Sequence, residues 1–160
     1  MAFSPSNRTS HSEHEELVSL IGIYEYFDNL YNHHFNNKNV SILEKVFKIN
    51  NLISEHEQEI ANPILNYLDS REDFNLIGKN KIVDKNRAPT ISFYSNKKSS
   101  KEISNNLHNY KIATRNDNFY AWRCLEYLGI DTNDGVVRLS MTHYNNFDDT
   151  EKVIAALESF

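Results

Sequence analysis

Gly135-Val-Val-Arg-Leu-Ser-Met-Thr-His-Tyr-Asn145 decides how the chain is read. Val136 to Met141 is a mostly apolar run, opened by a glycine and closed by an aromatic-polar loop, which is the pattern of a buried strand. A charge inside such a run is unusual. Arg138 is salt-bridged within the chain, exposed on one sheet face, or kept to hold an anion. An unpaired buried guanidinium would be costly, and its planar fork matches a carboxylate through two parallel hydrogen bonds. The residues leave open whether that partner is an internal Asp or Glu or an external anion.

The flanks of this strand are expected to be helical. Before it, Arg115-Asn-Asp-Asn leads into a helix over 118–128, capped by Asn116 or Asp117 and closed by Gly129 in a left-handed conformation. After it, Asn146 caps a last helix with Asp148, Asp149 and Glu151 near its positive end and Val153, Ile154 and Leu157 on its apolar side. Towards the N-terminus, Tyr110–Thr114 reads as a strand. Ser99-Ser-Lys-Glu102 has capping-box spacing and starts a short helix with Ile103 and Leu107 turned inward. Arg87–Tyr94 is a strand with Pro89 at its start, and Phe74–Gly78 is another. The polar loop 79–85 between them holds a short Ile82-Val83 element.

Two long helices come first. Ser41-Ile-Leu-Glu44 opens the second, whose stripe runs Ile42, Val46, Ile49, Ile53, Ile60, Ile64 and Leu68, with a kink or break expected near Asn62 ahead of Pro63. Ser12-Glu-His-Glu15 has the same box spacing and precedes Leu17, Leu20, Ile21, Tyr24, Phe27, Tyr31 and Phe35 at helical steps, with Gly22 placed for close packing. The two should pack antiparallel. Residues 1–11 read as a flexible lead-in and 12–160 as a single domain. The order α-α-β-β-α-β-α-β-α predicts an α+β fold, a small mixed or mainly antiparallel sheet covered on one face by helices.

With 160 residues the chain can bury a sizeable core, and a net charge of −5 gives no broad basic face for nucleic acid. No apolar run is long enough to span a membrane. One cysteine, Cys124, excludes an intrachain disulfide and suits the cytoplasm. No metal site is expected: His33 and His34 are adjacent and so point to different sides of one helix, His11 and His14 lack further ligands, and Glu55-His-Glu-Gln-Glu59 has no second histidine. Four scattered glycines cannot build a phosphate loop. Cys124, beside Arg123, and His143, in the loop after the strand, are weaker candidates for chemistry.

Several blocks together resemble the C-terminal part of class-V aminotransferases, in particular the cysteine desulfurase-like branch. They are Arg87-Ala-Pro-Thr-Ile-Ser-Phe93, Arg115 with Phe119-Tyr-Ala121, Leu128-Gly-Ile130 and Gly135-Val-Val-Arg-Leu-Ser140 with His143-Tyr-Asn145. His14-Glu15, Gly22–Phe27, Ile53 and His56-Glu57 match in order and spacing. The resemblance implies the small C-terminal domain of a fold-type-I pyridoxal phosphate enzyme, a transaminase or cysteine desulfurase-like protein, usually a homodimer. It implies that Arg138 binds the α-carboxylate of an amino-acid substrate. The Schiff-base lysine, the aspartate at the pyridine nitrogen and the ring-stacking residue of such enzymes belong to a large domain that these residues do not contain. The persulfide cysteine of desulfurases falls, by the spacing from Arg115 to Ala121, at Tyr120, with Cys124 one turn further on. The expectation is a truncated or split enzyme domain, inactive alone and without catalytic residues of its own. A separate chain would then supply the cofactor domain. The alternative is a stand-alone module that binds a small molecule or dimerises.

Overall fold

The computed structural model describes residues 11–37, 39–83 and 87–159, apart from the side chains of 11–17. The expected lead-in and the Ser12–Glu15 capping box therefore lie outside the described residues, save that the first helix already begins at His11. The elements are α1 (His11–His34), α2 (Ile42–Asp69), β1 (Phe74–Ile77), β2 (Thr90–Ser95), α3 (Ser100–Asn109), β3 (Arg115–Asp117), α4 (Trp122–Tyr127), β4 (Val136–Ser140) and α5 (Phe147–Glu158). Their order is the expected one.

The chain forms two compact units, 1–52 and 53–160, and α2 runs through both. In the first unit, the start of α2 lies against α1. Lys45 Nζ donates to Asp28 at 2.5 Å and stands 5.2 Å from the buried Tyr31 ring. Ser41 Oγ accepts from the Glu44 N–H, so half of the expected box forms. Ile21, Tyr24, Leu43, Val46 and Phe47 are exposed on these two helices. Close packing at Gly22 does not occur, because a Cβ there would meet nothing within 4 Å.

The second unit holds a fully antiparallel sheet in the order β1-β2-β4-β3. Alternation along the strands sends Ile91, Phe93, Val137 and Leu139 into a core with Ile60, Ile64 and Leu68 of α2, Ile103 and Leu107 of α3 and Leu157 of α5. Phe74 meets Phe93 edge-on at 5.5 Å. The helices thus cover one face, as expected. The other face carries a smaller cluster, where Leu125, Ile130 and Val136 are joined by Ile77, Tyr94 and Phe119.

Four local expectations are corrected. First, α2 continues through Pro63, so of the kink or break expected near Asn62 the break does not occur. Asn62, one residue earlier, bonds the Ile82 N–H and carbonyl through its amide, at 2.8 and 3.2 Å. Second, the short Ile82-Val83 element does not form; this pairing fixes buried Ile82, and Val83 is exposed. Third, residues 110–114 turn instead of forming a strand. The Ile112 N–H returns to Leu107 O at 3.0 Å and that of Lys111 to His108 O at 2.8 Å, a Schellman closure of α3 with Lys111 at φ 60° where glycine is usual. The strand begins at Arg115 instead. Fourth, the helix expected over 118–128 is confined to Trp122–Tyr127, because Phe119 and Tyr120 have φ of 52° and 60° and cannot be helical. Gly129 does close it, with φ 70° and the Ile130 N–H on Leu125 O.

Candidate functional site

The site is built on the sheet face away from the main core. Because Val137 and Leu139 point to the core, Val136, Arg138 and Ser140 point the other way. Val136 is covered by the α4 cluster, whereas Arg138 is half-buried and Ser140 exposed. Ser92 of β2 is directly opposite Arg138 on one side and Arg115 of β3 on the other. No carboxylate among the described residues pairs with Arg138. Its guanidinium carbon stands 4.2 Å from the centroid of the Phe119 ring, within cation–π range. Of the three alternatives open in the sequence, the internal salt bridge is therefore not formed among the described residues. Arg115 went unnoticed as a site residue in the sequence, since its register opposite Arg138 is a property of the folded sheet.

Gly135 makes this approach of β3 to β4 possible. A Cβ there would lie 2.3 Å from the Asp117 carbonyl carbon, and the residue has φ 68°. Any side chain would force β3 away from the strand that carries Arg138.

The turn Asn118–Ala121 delivers Phe119. Ala121 N–H bonds Asn118 O at 2.8 Å, and both central residues have positive φ, the pattern of a type I′ turn that usually holds Asn-Gly. Asn118 steadies it: its Oδ1 accepts from the Tyr120 N–H at 3.1 Å and its Nδ2 donates to Thr132 O at 3.4 Å. Tyr120 is fully exposed at the apex. Cys124 is exposed on α4 beyond the turn. No hydrogen bond or ring contact among the described residues joins either of them to Arg138.

His143 lies in the turn after β4, with its ring 5.6 Å from that of Tyr144. This turn is tied to α2 by a contact that the sequence does not announce, His56 Nε2 on Asn145 O at 2.8 Å. Asn145 in turn accepts from the Thr142 N–H and donates to Asp149 Oδ2 at 3.0 Å. The hydrogen bonds from Asn145 and from the Asn146 N–H hold the Asp149 carboxyl below its ordinary range. Burial pushes the Glu57 carboxyl up, partly offset by His143 and His56 nearby.

Pyridoxal phosphate, the cofactor implied by the resemblance, is not fitted by these residues alone. The described lysines are exposed except Lys45 and Lys48, and each of these is spent on a carboxylate, Asp28 and Glu44. The space at Gly135 is filled by the Asp117 backbone, so it cannot cradle a phosphate. No group of three or more His, Cys, Asp or Glu able to hold a metal is found among the described residues. Nor is any helix among them long and apolar enough to cross a membrane.

Known proteins share this fold. The model of the family "Aminotransferase class-V" matches residues 40–153. An aminotransferase-like protein of Gibberella zeae is 32% identical over 108 residues, 66% of this chain and 27% of its own length. A cysteine desulfurase of Shigella flexneri is 28% identical over 68% of this chain and 25% of its own length. Among solved structures, the cysteine desulfurase of Thermococcus onnurineus superposes with a TM-score of 0.59 at 23% identity, over 67% of this chain and 25% of that one. The cysteine desulfurase CsdA of Escherichia coli gives 0.56 at 21%, over 66% and 24%. The chain spans about a quarter of the length of the curated relatives it matches. By the match to the family model the chain belongs to the class-V aminotransferase family.

Proposed function

We propose that this chain supplies the substrate-gripping part of a class-V aminotransferase or cysteine desulfurase-like enzyme, with Arg138 binding the α-carboxylate of an amino acid. The observation that carries this reading is a half-buried strand guanidinium with no acidic partner among the described residues, next to Ser92 and opposite Arg115. Such a group is stabilised most by a carboxylate, which can take both arms of its fork. The lysine and the phosphate contacts come from a cofactor-binding domain outside these residues, in the same protein or a partner, and the chain by itself is inactive. Desulfuration through a persulfide at the Arg115–Ala121 turn is not part of this reading, because Tyr120 occupies that place and a phenol cannot carry the sulfur.

Co-expression with the cofactor-binding portion of a cysteine desulfurase tests it. Pyridoxal phosphate-dependent turnover of an amino acid is expected, falling about tenfold or more in Arg138→Ala from loss of one charged hydrogen-bond pair. Unchanged turnover in that variant would remove Arg138 from the site. Stable attachment of pyridoxal phosphate to a lysine of the isolated chain would overturn the division of labour.

The second reading, a module that associates through its surface, is favoured by the apolar residues exposed on α1 and the start of α2. It predicts a concentration-dependent dimer that Phe47→Glu dissolves. A monomer at all concentrations would exclude it.

A further inference from the structure

We infer that Phe119 is a positioning residue for Arg138, holding the guanidinium in place for a carboxylate; this rests on the function proposed for Arg138. Three independent observations meet here. The ring lies 4.2 Å from the carbon of a guanidinium that no carboxylate among the described residues pairs with. The backbone that delivers the ring has an uncommon conformation, since Phe119 and Tyr120 are consecutive non-glycine residues at positive φ. Each such residue is strained, and the sequence Asn-Gly would form the same turn without that strain. Backbone strain of this kind persists where something else requires the side chain. Finally, the opposing Arg115 should repel Arg138, so a guanidinium with no acid beside it needs another restraint.

An aromatic face is suited to that task. It attracts the cation but leaves the in-plane N–H groups free, whereas an internal carboxylate would occupy the donors that the substrate needs. Phe119 also packs against the cluster of Leu125, Ile130 and Val136. Packing alone would be served equally by leucine.

The test separates these roles. In the full chain labelled with nitrogen-15, the Arg138 Nε–H resonance is followed while acetate is added. Phe119→Leu keeps the apolar bulk, and Phe119→Asn suits positive φ and removes the strain; both are expected to weaken acetate binding about two- to fivefold and to abolish the ring-current shift of Arg138. Phe119→Trp, which keeps an aromatic face, is expected to retain both. Wild-type affinity in the Leu and Asn variants would overturn the positioning role and leave Arg138 as the carboxylate ligand. Acetate binding that is absent, or that survives Arg138→Ala, would overturn the carboxylate reading and with it this inference.

Discussion

Arg115 and Arg138 face each other directly across the β3–β4 ladder, two like charges with no acid placed between them among the described residues. Like charges opposite each other in a sheet destabilise it, and Arg115→Gln should therefore stabilise the fold by roughly 0.2–1 kcal/mol at low salt. The gain should shrink as salt screens the pair. Urea unfolding at two ionic strengths measures it. A loss of stability would mean that the two side chains are held apart.

Gly135 sets the distance between those strands. Gly135→Ala meets both a positive φ and the Asp117 carbonyl, and should cost roughly 3 kcal/mol or more. Gly78→Ala is the control. It has φ 89° but open space around it, so only the conformational cost of about 1 kcal/mol is expected. Equal losses at the two positions in thermal unfolding would show that β3 can move away freely.

These relationships separate what the sequence discloses from what it hides. The Ser99–Glu102 box forms as spaced and Asn146 caps α5, because a cap is a contact between residues three apart. Gly129 at the left-handed cap of α4 and the apolar run that becomes β4 were legible from local pattern as well. Residues 110–114 misled because a lysine takes the left-handed position of the α3 cap, and Tyr-Lys-Ile-Ala-Thr mimics a strand. The shortened α4 was hidden likewise, since aromatic residues at positive φ carry no sequence signal. At the site, Arg138 stood out as a charge in an apolar run, Cys124 and His143 by type, and Tyr120 only through the family resemblance. The partners that define Arg138, Phe119 and Arg115, come from pairing between distant segments.

The His56–Asn145 hydrogen bond makes α2 a brace for the turn after β4. His56→Ala should cost about 1 kcal/mol, the ordinary value of one such bond. Hydrogen exchange at Thr142 and Asn145 should quicken before that of β2, and uniform quickening would argue against a local brace.

Acid should act at the entry to β1. Arg71 holds the Asp73 carboxyl down from 3.8 to about 2, through bonds of 2.9 and 3.0 Å. A lowered carboxyl binds its proton later in the folded chain than in the unfolded one. Its contribution is therefore present above pH 3.8 and is lost as the pH falls towards 2. Asp73→Asn should flatten that part of the stability curve. A wild-type slope in the variant would assign the acid sensitivity to other groups.

Arg138 is proposed to grip a carboxylate. Calorimetric titration of the chain with L-alanine, and with ethylamine, which lacks the carboxylate, tests it most directly. Saturable heat with L-alanine only, lost in Arg138→Ala, is the expected result. Equal binding of L-alanine by Arg138→Ala and wild type would contradict the account.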